Sequence, residues 1–338
     1  MQSIYNNLHI FLALISFITA LVLIKYVKIF FFRIGFLDKP NERSNHSLPT
    51  ALGGGVIIVP IILFLAYIFD NNFNNILLII SIFLFSISLL DDFKNVGAAY
   101  RLLLHLICMA LYTLAYIKPE LSDFFLFFNT NKIATYFLLL IILVSLTWFI
   151  NAFNFMDGID GISSLQIIHI ILSIITIKLF LGQKLDYIYF IILGTITAFL
   201  IFNWSPAKIF LGDSGSIPLG FLCLHLLIEL IFLGYWVAAI LIPLYYILDS
   251  GVTLFMRIKR REKFWVSHSK HFYQIAVKNG KSHSLVCFNL LFFSVVLFFL
   301  SFLSVLYKNN FFILIFGLGL GALFLFFLRK PNKFNETE

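Results

Sequence analysis

The chain has 338 residues, of which 61% are hydrophobic and only 12% charged, and it carries a formal net charge of +8. A mean hydropathy of +0.99 is far above that of soluble domains, and apolar runs of the ~20 residues needed to cross ~30 Å of hydrocarbon recur throughout. Composition therefore excludes a soluble enzyme and makes no case for a nucleic-acid partner; it predicts an all-α, polytopic integral membrane protein, one domain over residues 1–338, with the lipid bilayer as a partner.

In chain order the apolar runs predict about eleven transmembrane helices, at 9–32, 53–69, 75–90, 101–117, 134–152, 162–181, 187–202, 216–232, 235–256, 284–306 and 311–328. No basic segment precedes the first run, whereas Lys25, Lys28 and Arg33 lie late in it or just after it, so it reads as a retained helix with its amino terminus outside. The gaps after odd-numbered runs, with the carboxy-terminal tail, hold 17 of the 24 basic residues, and the gaps after even-numbered runs hold four. The positive-inside rule then places segments 33–55, 91–101, 151–161, 203–216 and 257–283, and the carboxy terminus, in the cytoplasm. All the unusual polar motifs fall in these five segments, which predicts one composite cytoplasmic site. The 43 phenylalanines read as lipid-facing bulk. Cys108, Cys223 and Cys287 lie in apolar runs without metal-type spacing, and His105, His169 and His225 read as hydrogen-bonding residues between helices.

The first segment runs from Asp38-Lys39-Pro40-Asn41 to Pro49-Thr50-Ala51-Leu52-Gly53-Gly54-Gly55. It combines basic residues with a turn-forming backbone, which suits phosphate or nucleotide contacts, and Lys39 and Thr50 are its candidates for binding substrate. Asp91-Asp92 follows at a helix end, with Arg101 at the start of the next run. Paired carboxylates there can hold Mg²⁺, which prefers oxygen ligands and shares its shell with substrate phosphates, or can position a phosphate nucleophile beside the arginine. A solvated helix cap is the competing reading.

The third segment, Asn151-x-x-Asn154-x-x-Asp157-Gly158-Ile159-Asp160-Gly161, repeats a polar group at every third residue and ends in glycines that let the backbone approach a ligand. In the fourth, Phe210-Leu211-Gly212-Asp213-Ser214-Gly215-Ser216, Asp213 stands at a helix start whose free N–H groups favour an anion, or serves only as the cap. The fifth carries Arg257, Arg260 and Arg261 and then Ser267-His268-Ser269-Lys270-His271-Phe272-Tyr273-Gln274. Its basic residues suit anionic headgroups, and His268 and His271 offer donors to a diphosphate.

Over residues 33–283 the set of motifs, in this order and on one side, resembles the polyprenyl-phosphate N-acetylhexosamine-1-phosphate transferases. These include phospho-MurNAc-pentapeptide translocases and the initiating enzymes of O-antigen and related glycans. The last motif is similar to the SHxxHxYQ form of the O-antigen branch and departs from the HxHHH form of the peptidoglycan branch, which argues against a MurNAc-pentapeptide substrate.

The resemblance implies a UDP-N-acetylhexosamine donor, an undecaprenyl phosphate acceptor, and Mg²⁺ (or Mn²⁺) as cofactor. It implies a multi-pass protein of the bacterial plasma (inner) membrane that carries out the first membrane step of a cell-surface polysaccharide, a homodimer being one allowed assembly. Asp91, Asp92 and Asp213 are then catalytic, with Asp213 as metal ligand and Asp91, Asp92 and Asp157 as further candidates for the metal. Asn151, Asn154, Asp157 and Asp160 line the nucleotide-sugar pocket, Phe210 stacks on uracil, and His268 and His271 meet the donor diphosphate. Two other classes use membrane carboxylates. An aspartate-rich polyprenyl transferase would need wider Asp spacing and no His loop, and a transporter would show internal repeats and acids at span centres.

Overall fold

The computed structural model describes residues 2–38, 40, 49–94, 96–121, 132–262 and 268–331, with side chains from residue 7 onward. Helix α1 (Gln2–Ile34) leads into a two-stranded ribbon, β1 (Leu37–Asp38) antiparallel to β2 (Thr50–Ala51), with Leu37 opposite Ala51. Then come α2 (Gly55–Phe69), α3 (Asn75–Lys94) and α4 (Ala98–Tyr112), the last continued by a π-helical turn at Thr113–Ile117 and a final turn at Lys118–Glu120. They are followed by α5 (Lys132–Phe155), α6 (Ile162–Phe180), α7 (Tyr187–Asn203) and α8 (Asp213–Phe232). The chain closes with α9 (Trp236–Leu241), α10 (Leu244–Lys259), the short α11 (Phe272–Lys278), α12 (His283–Leu306) and α13 (Phe311–Arg329).

The fold is thus all-α and polytopic. Among the described residues eight helices, namely α1, α3, α4, α5, α6, α8, α12 and α13, are long and apolar enough to cross a bilayer. The other expected spans differ in length or continuity. Helices α2 and α7 have 15 and 17 residues, about 22 and 26 Å at 1.5 Å per residue. The run 235–256 is broken in two, because Pro243 has no N–H to continue the ladder and clashes with the preceding turn. The interruption bares backbone groups, and His169 Nε2 meets the Ile242 carbonyl at 3.1 Å, the interhelical role expected of that histidine.

Helix α8 is the axis of the bundle. Every residue from Ser214 to Ile228 is buried, and α2, α3, α5, α6 and α9 pack around it. The outer helices turn large apolar side chains outward, with Phe292 and Phe312 73% and 78% exposed, as phenylalanines facing hydrocarbon should be. The three cysteines are buried and unpaired.

Polar side chains collect at the two ends. At one end Lys178 Nζ donates to Asp186 Oδ2 at 2.9 Å and approaches Glu229 Oε2 at 3.3 Å, while Asp70 Oδ2 accepts the Ile188 N–H at 2.8 Å. Asn309 of the α12–α13 turn meets the Gly234 carbonyl at the same end. These are the gaps after even-numbered runs. The gaps after odd-numbered runs meet at the other end, where the motif residues lie.

Candidate functional site

The glycine triplet and the Asp213 turn form one piece of backbone. Phe210 N donates to Ala51 O, Gly54 N to Phe210 O and Gly55 N to Leu211 O, each at 2.8 Å. This pairing brings the starts of α2 and α8 so close that a Cβ on Gly55 would lie 2.1 Å from Gly215 N. Thr50 is buried in this ribbon and Phe210 is half-buried beside it.

Asp92 takes the place at the head of α8 that the sequence left open to an external anion. Its Oδ1 accepts the Asp213 N–H at 2.9 Å and its Oδ2 the Ser214 N–H at 3.0 Å, the bonding of an N-cap supplied from another helix. Gly212 permits this, since its φ is +75° and a Cβ there would sit 2.7 Å from Asp92 Oδ2. The two expectations for this turn are therefore corrected: Asp213 is not the cap, and its N–H groups are already satisfied. The geometry gives Asp92 the task of holding Asp213 in place.

Freed from capping, Asp213 turns its carboxylate to two partners. Its Oδ2 accepts from Arg101 Nη1 at 2.6 Å and its Oδ1 from Asn154 Nδ2 at 2.7 Å. The same Arg101 nitrogen also donates to Asp91 Oδ2. One guanidinium from α4 thus joins carboxylates from α3 and α8, and Asn154 of α5, which also reaches Ser216 Oγ at 2.8 Å, completes the ring. Arg101 and Asp213 remain 31% and 29% exposed, so the cluster is open to a ligand.

Asp157 lies in the turn between α5 and α6. Burial pushes its carboxyl up to about 7, and the nearby charges of Asp213 and Asp92 add to this against a hydrogen bond with Ser163. Asp160, three residues on, is a structural tie. Burial alone would raise it, but the His283 imidazole 3.2 Å away, the Ala207 N–H at 3.1 Å and Ser205 hold it below the usual carboxylate range. Asn151 is also engaged, donating to Thr147 O at 2.7 Å and meeting His105 Nδ1 at 3.1 Å. Of the four polar residues at triplet spacing, Asn154 and Asp157 adjoin the Asp213 cluster, whereas Asn151 and Asp160 are turned to neighbouring helices. The first two of the four, Asn151 and Asn154, lie on α5, which stays α-helical through Phe155, and the last two lie in the turn after it.

In the basic segment Glu262 accepts from Arg257 Nε at 3.2 Å and from Lys270 Nζ at 2.7 Å, so part of the positive charge is neutralised within the loop. His268 stacks on His271 with centroids 4.9 Å apart. Burial, with help from His271, Arg257 and Lys270, pushes its imidazole down to about 4, so His268 is neutral at physiological pH and can offer an N–H but not a charge. His271 is 3% exposed and its Nδ1 lies 3.0 Å from Asp249 Oδ1. Asp249 was missed in the sequence because it lies inside an apolar run; an ionisable residue at such depth was the signal available. Lys39 lies outside the described residues.

Among the described residues no three His, Cys, Asp or Glu side chains could by themselves hold a metal ion. The Asp91–Asp213 pair, sharing one cation in Arg101, nonetheless fits Mg²⁺, which is commonly bound by one or two carboxylates with substrate phosphates and water completing its shell.

Residues 75–231 match the family described as glycosyl transferase family 4. The chain is 24% identical over 283 residues to a probable undecaprenyl-phosphate N-acetylglucosaminyl 1-phosphate transferase of Bacillus subtilis, covering 80% of this chain and 77% of that protein. It is 30% identical over 213 residues to an undecaprenyl-phosphate alpha-N-acetylglucosaminyl 1-phosphate transferase of Thermotoga maritima, covering 62% of this chain and 60% of the relative. To a phospho-N-acetylmuramoyl-pentapeptide-transferase of Thermotoga neapolitana it is 33% identical over 177 residues, 49% of this chain and 56% of that one.

Proposed function

Because the chain belongs to glycosyl transferase family 4 through residues 75–231, we propose that it moves an N-acetylated amino-sugar 1-phosphate from a UDP-sugar to undecaprenyl phosphate. The products are a lipid-linked diphosphate sugar and UMP. The observation that carries this reading is the Arg101 guanidinium shared by Asp91 and Asp213, with Asn154 on the second oxygen of Asp213.

An oxygen of the lipid phosphate attacks the sugar-bearing phosphorus of the donor, the bond from that phosphorus to the bridging oxygen breaks, and UMP departs with the electron pair. Two phosphate groups are driven together, so the work is positioning and neutralisation of charge. Asp213, with Asp91 and Asp157 alongside, would hold Mg²⁺, or Mn²⁺ in its place, which would supply Lewis-acid charge compensation on the phosphate oxygens. Arg101 contributes a fixed cation beside the same oxygens, Asp92 fixes the Asp213 turn, and Asn154 orients the Asp213 carboxylate. Phe210 offers a face to the uracil ring, and His268 and His271 offer N–H groups to the donor.

The basic-residue asymmetry supports a site facing the cytoplasm of a bacterial inner membrane, where UDP-sugars are made. The step is the first membrane reaction of an O-antigen or another cell-surface polysaccharide. UDP-N-acetylglucosamine is the first donor to try, since the two N-acetylglucosaminyl transferases above are similar over most of this chain.

The test is UMP release by the purified protein in detergent from a panel of UDP-N-acetylhexosamines, with undecaprenyl phosphate and Mg²⁺ or with chelator in its place. Release that needs both the lipid phosphate and the metal is expected. No release from any donor would overturn the reading.

A further inference from the structure

The strongest polar construction outside the Asp91–Arg101–Asp213 cluster is the socket around Asp249. Its carboxylate is fully buried, and it accepts five hydrogen bonds from two segments. Oδ1 meets His271 Nδ1 and the Phe272 N–H, each at 3.0 Å, and Thr253 Oγ1 at 3.3 Å, while Oδ2 meets Tyr245 Oη at 2.9 Å and the Tyr273 N–H at 3.2 Å. Burying a carboxylate is costly unless its lone pairs are met, and here they are.

The socket does two things at once. Its backbone bonds seat the first turn of α11, and its bond to Nδ1 fixes the imidazole of His271. A carboxylate can only accept, so His271 carries a proton on Nδ1 and Nε2 is the nitrogen left for a ligand; to donate to a phosphate oxygen Nε2 must carry a proton as well, giving an imidazolium whose charge Asp249 balances. Seating α11 also places Tyr273, whose Oη donates to Phe155 O at 2.9 Å, at the last residue of α5. The Asp157 turn begins there, and it is pressed so close that a Cβ on Gly158 would lie 2.1 Å from Tyr273 Oη. A single buried carboxylate in α10 therefore sets both the histidine of the fifth segment and the carboxylate turn of the third.

We propose that Asp249 is a positioning residue of the transferase site. It acts through His271, whose Nε2 it presents to the donor diphosphate, and through Tyr273, which holds the Asp157 turn in register with Asp213. This rests on the transferase reading above.

The experiment is a double-mutant cycle on the full-length protein in detergent, with UMP release followed while each substrate is varied. Asp249→Asn and His271→Gln are each expected to lower kcat by about tenfold or more, and the double variant to lose at least about threefold less than the product of the two single losses, because residues that act in part as one unit are not additive. The KM for undecaprenyl phosphate should stay within about twofold. Tyr245→Phe, which removes one bond to Oδ2 and keeps the carboxylate, should give a smaller loss in the same direction that shrinks in the His271→Gln background, and it serves if Asp249→Asn does not fold.

Hydrogen exchange gives a readout free of turnover: Tyr245→Phe or Asp249→Asn should quicken exchange at 156–160 as well as at 272–278. Losses that multiply, or exchange unchanged at 156–160, would overturn the positioning role while leaving the transferase reading intact. A wild-type protein that releases no UMP from any donor would overturn both.

Discussion

Asp213 is the residue on which the site turns, because three of its neighbours exist to hold it. Asp92 accepts its N–H, Arg101 and Asn154 hold its two oxygens, and its own carboxylate remains partly open. Asp213→Asn keeps the size of the side chain and removes the charge, so UMP release should fall by more than about a hundredfold while the thermal melt stays close to wild type; activity within about tenfold, about 1.4 kcal/mol in barrier, would refute a metal-holding role.

Asp157 titrates near neutrality and can be probed by pH alone. Its folded value of about 7 lies above the ordinary 3.8, so between these values the folded chain holds a proton that the unfolded chain has lost. Its contribution to stability is complete below about 4, falls as pH rises toward 7, and is level above that. Asp157→Asn, which stays neutral, should therefore gain on the wild type in melting temperature by a few degrees between pH 4.5 and 8. A constant difference across that range would contradict the burial of its charge.

The same residues show how much of the site was readable beforehand. Carboxylates and asparagines interrupting an apolar chain mark themselves, so Asp91, Asp92, Asn154, Asp157 and Asp213 could be picked out without a structure. Which of them faces a ligand and which faces the protein depends on partners far away in sequence. Asp92 meets the backbone 121 residues on, and Asp160 meets His283. Asp249 escaped because three of its five donors, His271 Nδ1 and the Phe272 and Tyr273 N–H groups, come from more than twenty residues downstream.

Among the elements, the crossing of α2 and α8 decides whether the site forms. Gly55→Ala would drive a methyl group into the backbone of Gly215 rather than into a side chain that could swing aside. Overpacking of this kind costs typically 1–3 kcal/mol. The variant should melt lower and lose donor turnover together, whereas Gly319→Ala on α13, which meets open space, should change neither. Helix count and order were legible from apolar runs because a bilayer imposes a length on each span. The exceptions are instructive in physical terms. The ninth run could not reveal its break, since Pro243 is tolerated where His169 comes across to take a bared carbonyl, and that partner lies more than seventy residues upstream. The start of α8 lay three residues before the apolar run suggested, since its first turn is held by Asp92 and not by hydrophobicity.

For the whole molecule, the separation of polar groups into two ends gives a direct test of orientation. Lys184 and Lys308 are exposed at one end and Arg260 at the other, and the native cysteines are buried. Single cysteines at Lys184 and Lys308 should react with an impermeant thiol reagent added to intact cells, and one at Arg260 only after the membrane is opened. Labelling of the Arg260 position from outside would invert the topology and with it the cytoplasmic donor.

Helix α8 is fastened at both extremities, by Asp92 at its first N–H groups and by Lys178 at Glu229 near its last turn. Sixteen residues, about 24 Å of helix, separate those anchors, so the number of residues between them is itself a constraint. One alanine inserted within α8 would lengthen it by about 1.5 Å and turn everything beyond it by about 100°, and no sliding could restore both fastenings at once. A single insertion at Leu222 should therefore abolish UMP release, whereas one at Lys330, past the end of α13, should be absorbed with most of the activity kept.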